Sequence, residues 1–220
     1  MRIVVTLPSR LTEPVRNRFG ARQSTAEILL VRTDAGESVP PMQDGDGLLM
    51  LQPVDFALSQ QAASVAGESG VHYGEVALVE SPLAGEYGFM VAAGGKAADL
   101  HALTPELNAL APCPYGWWHV GEAGSAAFLL ALYTQLGAAA KNPFDISNPF
   151  PHLAQIAATQ QQSGVMAADY LAQTEGEHFV AALPDRQRAL SAFTSSAESP
   201  ARQIARLIRL FCQPPPAQAN

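Results

Sequence analysis

Three runs early in the chain, "MRIVVTL", "AEILLVRT" and "GLLMLQP", are apolar without alternation. A strand that faces water on one side alternates with period two. A continuously apolar strand is covered on both faces, as parallel strands are. This restricts the chain to an α/β layer with helices on both sides of a sheet. The helical patterns fall between the runs. "LTEPVRNRF" reads as a short helix with Thr12 as N-cap. "DFALSQQAASVAGESG" reads as an amphipathic helix ending at Gly70, and "KAADLHALTPELNALA" as a further helix. "VHYGEVALVES", "YGFMVAAGG" and "YGWWHVGEAG" supply more strands, the last running into a turn. The order β-α-β-β-α-β-β-α predicts a Rossmann-like parallel-sheet domain over residues 1–120.

The pattern changes near Gly124, and no strand is expected beyond it. "SAAFLLALYTQLGAAAK" reads as a long helix and "NPFDISNPFP" as a proline-rich break. "HLAQIAATQQQSGVMAADYLAQTEGEHFVAAL" reads as helix with a break near Ser163–Gly164. "SPARQIARLIRLF" has Ser199 at the N-cap and Pro200 at N1. Helical spacing sets Ile204, Leu207, Ile208 and Phe211 on one face and Arg202, Arg206 and Arg209 on the other. An all-helical domain is therefore expected over 121–212, with a disordered tail over 213–220.

Charge narrows the function. The net charge is −7, and Lys96 and Lys141 are the only cations between residues 33 and 185. The arginines sit at the ends: Arg2, Arg10, Arg16, Arg18, Arg22 and Arg32, then Arg186, Arg188, Arg202, Arg206 and Arg209. Such a body has no continuous basic face for nucleic acid. The end arginines read as solvated helix faces paired with acids. No apolar run reaches the roughly 18 residues that cross a membrane. "MRIVVTLPSR" lacks the cleavable apolar segment of a secretion signal. Cys113 and Cys212 make neither a disulfide framework nor a zinc site. A cytoplasmic protein without a metal is expected.

The stretch from "GDGLLMLQPVDF" through "GWWHVGEAGSAAF" resembles the 6-phosphogluconate dehydrogenases and the related 3-hydroxyisobutyrate dehydrogenases. Their pattern is a strand beginning G-D, a helix ending E-K-G-I-H-F, a strand and an S-G-G loop. A strand ending G-G, a helix and then G-W-L-H-C-G-x-x-G-A-G-H-F follow. The resemblance covers Ala26 to about Gln135 and continues more weakly to about Phe193. It implies an NAD(P)-binding Rossmann domain followed by a helical domain, and a homodimer formed through the helical domain.

The departures from that pattern are concentrated where the chemistry lies. The family's G-x-G-x-x-G turn lets backbone approach a pyrophosphate. Here the stretch is "VVTLPSRLTEP", so the degenerate cofactor positions are Leu7, Pro8, Ser9 and Arg10, and Pro8 lacks a donor. About two strands and a helix of the family's first half are expected to be missing, including the strand that ends in a ribose-reading residue. Pro53 stands at the position of the family's nicotinamide-facing Asn. "ESPLAGEYG" replaces the S-G-G substrate loop, leaving Ser81 and Gly85 as cleft candidates beside His119, Gly121 and Gly124. The helix after the turn carries H-F-x-K-x-x-H-N in the family. Here the Lys position is Leu130, the His position Tyr133 and the Asn position Thr134. Leucine cannot transfer a proton.

Each candidate also has an unexceptional role. His119 reads as a rim residue or as a turn histidine packed on Trp117 and Trp118. Tyr133 reads as a replacement acid or as a tyrosine covering core. Asp169 reads as an acid reaching the cleft or as a solvated helix residue. Gly94–Gly95 reads as a turn closing a strand. The leading expectation is a catalytically degenerate relative that binds or assembles, without a dinucleotide, as a homodimer and with room for an unidentified protein partner. The alternative is an active NAD(P)-dependent oxidoreductase, with NADP or NAD as cofactor, that uses Tyr133, Thr134 or Asp169. A third reading is a small-metabolite binder that keeps the interdomain cleft.

Overall fold

The structure is a computed structural model that describes residues 1–22, 26–140, 150–183 and 198–212. Of the expected proline-rich break at 142–151, residues 142–149 lie outside the described residues and Phe150 and Pro151 begin a helix instead; the tail at 213–220 also lies outside the described residues. A six-stranded sheet runs in the order β2-β1-β3-β4-β5-β6. Its strands are β1 (Arg2–Leu7), β2 (Glu27–Arg32), β3 (Gly47–Leu51), β4 (His72–Val79), β5 (Met90–Gly94) and β6 (Trp117–Gly121). All pairings are parallel except β4 with β5. Ile3, Val5, Leu7, Leu49 and Leu51 face one side, against α1 (Thr12–Ala21) and α5 (Thr104–Leu110). Val4, Leu48 and Val31 face the other, toward α2 (Phe56–Glu68). Both sides are covered, which is why these strands carry no alternation.

Between them lie α3 (Ala84–Tyr87) and α4 (Ala97–Ala102). The helical region follows as α6 (Ser125–Ala140), α7 (Phe150–Gln173) and α8 (Pro200–Cys212). Phe128, Leu132, Ala167, Tyr170, Ala201 and Ala205 form its core, and Phe56 of α2 packs against it. Among the described residues no helix is long and apolar enough to cross a membrane.

Several local expectations are corrected. Thr12 does not cap α1: Leu11 holds the cap position without a side-chain bond, and the Thr12 hydroxyl is buried without a partner. Residues 97–110 form two helices rather than one, because Pro105 has no N–H to offer the carbonyl of His101. Helix α7 runs unbroken through Ser163–Gly164. A Cβ on Gly164 would lie 2.9 Å from the Cys212 Cβ, so this glycine admits α8 rather than ending α7. The helix stops at Gln173, short of the expected Leu183. Strand β2, by contrast, forms on the expected run Ala26–Thr33 and pairs parallel with β1.

Helix α8 is also turned from its expected setting. Ala201, Arg202 and Ala205 are buried, whereas Leu207, Leu210 and Phe211 are exposed. Arg202 donates to the backbone carbonyl of Thr174 and, at 2.6 Å, to its hydroxyl. A cation at the C-terminal end of α7 is favoured by the helix dipole and the free carbonyls there.

Candidate functional site

Strand β1 connects to β2 on one side while β3 lies on its other side. Strand order therefore reverses between β1 and β3, and ligands of such sheets bind outside the carboxyl ends at that point. The residues there are Leu7, Pro8, Ser9 and Arg10 from β1 and Gln52 and Pro53 from β3. Leu7 is fully buried. Ser9 donates its backbone N–H to both Asp34 oxygens, at 2.9 and 3.0 Å, and its hydroxyl to Oδ1 at 2.6 Å. The bonds from Ser9 hold the Asp34 carboxyl below its ordinary range. Asp34 stands just past the end of β2, where such sheets carry a ribose-reading acid. Arg10 pairs with Glu80 at 2.8 Å, and Gln52 donates to the same carboxylate at 3.1 Å.

A pyrophosphate at this point takes backbone N–H groups freed by glycines. Pro8 has none, and that of Ser9 is held by an internal carboxylate. The residues present do not fit the group.

The second region is the turn from β6 into α6. Gly121 and Gly124 have φ of 150° and 96°, in the region that favours glycine. A Cβ on Gly124 would meet the Phe56 ring at 2.3 Å. Beneath the turn lies Glu75, fully buried in β4. Its Oε1 accepts the N–H of Gly124 at 2.9 Å and of Ala126 at 2.7 Å. Burial raises its pKa, and the backbone donors pull in the opposite direction. Glu75 thus takes the place of an anion at the start of α6. Ser125 bonds the Tyr170 hydroxyl at 2.8 Å, and the Tyr170 ring stacks on Phe128 at 4.2 Å.

His119 is not a rim residue. It is buried, and its Nδ1 accepts the N–H of Ala182 at 3.0 Å. Its Nε2 therefore carries the proton and donates to the carbonyls of Gly95 and Gly121, at 2.9 and 3.1 Å. Its ring packs on Phe179 rather than on the tryptophans. Burial pushes its pKa down to about 4, against the pull of the two carbonyls.

The other candidates are dispersed. Leu130 is half-buried and packs beside Ala77, Val120 and Ala126. Tyr133 is exposed, and Thr134 is exposed and donates to the carbonyl of Leu130. Ser81 is exposed, and Gly85 packs against Pro14. Asp169 is exposed and lines a cleft of about 670 Å³ bounded by Asp55 and Phe56 on one side and α6 and α7 on the other. Among the sequence candidates, only Asp169 lines that cleft. Glu75, Asp34 and Glu80 were not singled out from sequence. A lone acid inside the apolar run "HYGEVALV" was the available signal for Glu75. Among the described residues no group of His, Cys, Asp or Glu could hold a metal ion.

Fold and site define a Rossmann-like sheet joined to a helical region, with exposed side chains pairing with one another at its switch point. No protein-family profile and no curated protein sequence matches the chain. Solved structures do match it. A 3-hydroxyisobutyrate dehydrogenase from Salmonella typhimurium superposes with a TM-score of 0.51 at 11% identity, covering 96% of this chain and 79% of that one. An imine reductase variant from Myxococcus stipitatus, solved with NAD+, gives 0.47 at 18% identity, covering 87% and 74%. An imine reductase from Aspergillus terreus gives 0.48 at 12% identity, covering 96% and 87%. The chain shares the fold of that 3-hydroxyisobutyrate dehydrogenase, as the sequence resemblance implied.

Proposed function

We propose that this protein binds or assembles with other chains on a dehydrogenase-type scaffold, without a dinucleotide and without dehydrogenation. The observation that supports the reading is the pairing of Ser9 with Asp34, and of Arg10 and Gln52 with Glu80, at the switch point, beside a proline that has no N–H. Leu130 supports it, since the position that resembles the family's proton carrier packs against Val120 and Ala126. The two free thiols, one of them exposed, suit action in the cytoplasm.

The assembly is a homodimer through the helical region. Leu207, Leu210 and Phe211 on α8 and Leu153, Ile156 and Val165 on α7 are exposed apolar side chains, with Phe211 at 78%. Contiguous exposed apolar surface marks interaction sites. Sedimentation velocity at micromolar concentration is expected to give twice the chain mass. Leu210→Glu and Phe211→Glu, both at exposed positions, are expected to shift it to the monomer with unchanged circular dichroism. A wild-type monomer at those concentrations would sink the assembly reading. The cleft beside Asp169 supports a second reading, a small polar metabolite held there, in which the helical region serves a ligand.

A further inference from the structure

The cleft between α2, α6 and α7 has a volume of about 670 Å³, within the range of small-molecule sites. Its floor is Ala127, Phe128 and Ala131 on α6. Ala127 and Ala131 stand one turn apart on the same face, and their small side chains leave depth that larger ones would fill. Leu130, Tyr133 and Thr134 lie on another face of α6 and do not line the cleft. It is therefore not the place where the family pattern sets its proton carrier.

The cleft carries charge of one sign. Asp55 lines one wall and Asp169 the other. Asp55 is the N-cap of α2, and its Oδ1 accepts the N–H of Leu58 at 3.0 Å, which uses one of its two oxygens. Among the described residues no hydrogen bond or ion pair engages the Asp169 carboxylate. No lysine, arginine or histidine lines the cleft. Asp34 and Glu80 at the switch point, by contrast, are taken by Ser9 and Arg10. Beside the two carboxylates the half-buried Phe56 ring and Met166 supply apolar surface. A cation next to such a ring gains a further attraction from its face. An anion in the cleft would meet two carboxylates and no counter-charge. The surroundings add to the same field: the chain has a net charge of −7, and Lys96 is the only described lysine or arginine between residues 33 and 185.

We propose that this cleft binds an organic cation, an amine or quaternary ammonium on an aliphatic or aromatic body. The charge sits between Asp55 and Asp169, and the body lies on Phe56 and the alanine floor. The proposal rests on the second reading given above, a small polar metabolite in the cleft, and assigns its charge. The probe is 2-phenylethylamine, with 2-phenylethanol as its neutral counterpart and phenylacetate as its anionic one. Each is titrated at neutral pH and low salt into the full chain labelled with nitrogen-15, and backbone amide shifts are followed. Saturable shifts are expected at Asp55, Phe56 and Asp169 with the amine, with the alcohol bound about tenfold more weakly and the anion not bound.

Asp169→Asn changes an exposed position, and Asp55→Asn keeps a residue that caps helices well. Each is expected to weaken the amine about fivefold, and the double variant is expected to bind amine and alcohol equally. Circular dichroism checks that the variants fold. Equal binding of amine and alcohol by the wild type overturns the proposal and leaves the polar-metabolite reading standing. Absence of shifts with all three probes overturns both. The cation site is also overturned by phenylacetate binding as tightly as the amine, or by amine binding unchanged in both folded single variants. Saturable shifts confined to residues outside the cleft overturn it as well.

Discussion

The carboxyl ends of β1 and β3 and the turn from β6 into α6 satisfy their polar groups in opposite ways. At the first, exposed side chains pair with one another: Arg10 and Glu80 have 60% and 40% of their side-chain surface open to solvent. At the second, a buried carboxylate, Glu75, and a buried imidazole, His119, hold backbone N–H and carbonyl groups. The first region is where a dinucleotide site would lie, and its contacts are replaceable. The second is where the chain passes from sheet to helix, and its contacts are structural. The H-x-G-x-x-G pattern therefore reports a backbone constraint. It does not report chemistry, because His119 faces inward and both glycines hold positive φ.

Substitutions sharpen the contrast. Gly124→Val forces a branched side chain into φ of 96° and into the Phe56 ring, and is expected to cost about 4 kcal/mol or to prevent folding. Urea denaturation measures it, and a cost below about 1 kcal/mol would contradict the turn's structural role. Glu75→Ala leaves the N–H groups of Gly124 and Ala126 buried without an acceptor and is expected to cost about 3 kcal/mol. Glu75→Gln keeps one carbonyl oxygen and should recover part of that loss in the same denaturation series.

His119 adds a pH signature. Its folded pKa of about 4 lies below the ordinary 6.5, so the folded state favours the neutral ring. The contribution is complete above pH 6.5. It declines as the unfolded state takes up a proton below that value, and it is lost as pH falls through about 4. The wild type should lose up to about 3 kcal/mol over that window relative to His119→Gln. Parallel stability curves for the two proteins would contradict it. The smallest effect belongs to the other region. Arg10→Ala removes an exposed pair and is expected to change stability by less than about 1 kcal/mol, as read by thermal melting.

The apolar runs made the sheet legible, since each of the six expected strands falls on a quoted run. Helix α6 and the change of character near Gly124 were legible for the same reason, a switch in hydrophobic period. Helix junctions were not. Gly164 reads in sequence as a break, but its lack of a side chain serves close packing on Cys212. The orientation of α8 was misread because Arg202 is buried by carbonyl partners on another helix, which no local pattern encodes. Pro8 and Leu130 marked the altered chemistry directly. The bonds from Ser9 to Asp34 and from Arg10 to Glu80 join residues 25 and 70 positions apart, so only the fold reveals them.

Calorimetric titration of the full chain with NADPH and NADH tests the switch point most directly. With Ser9 and Arg10 held by Asp34 and Glu80, no binding heat is expected up to millimolar cofactor. Saturable binding in the micromolar range, at one site per chain, would contradict the account.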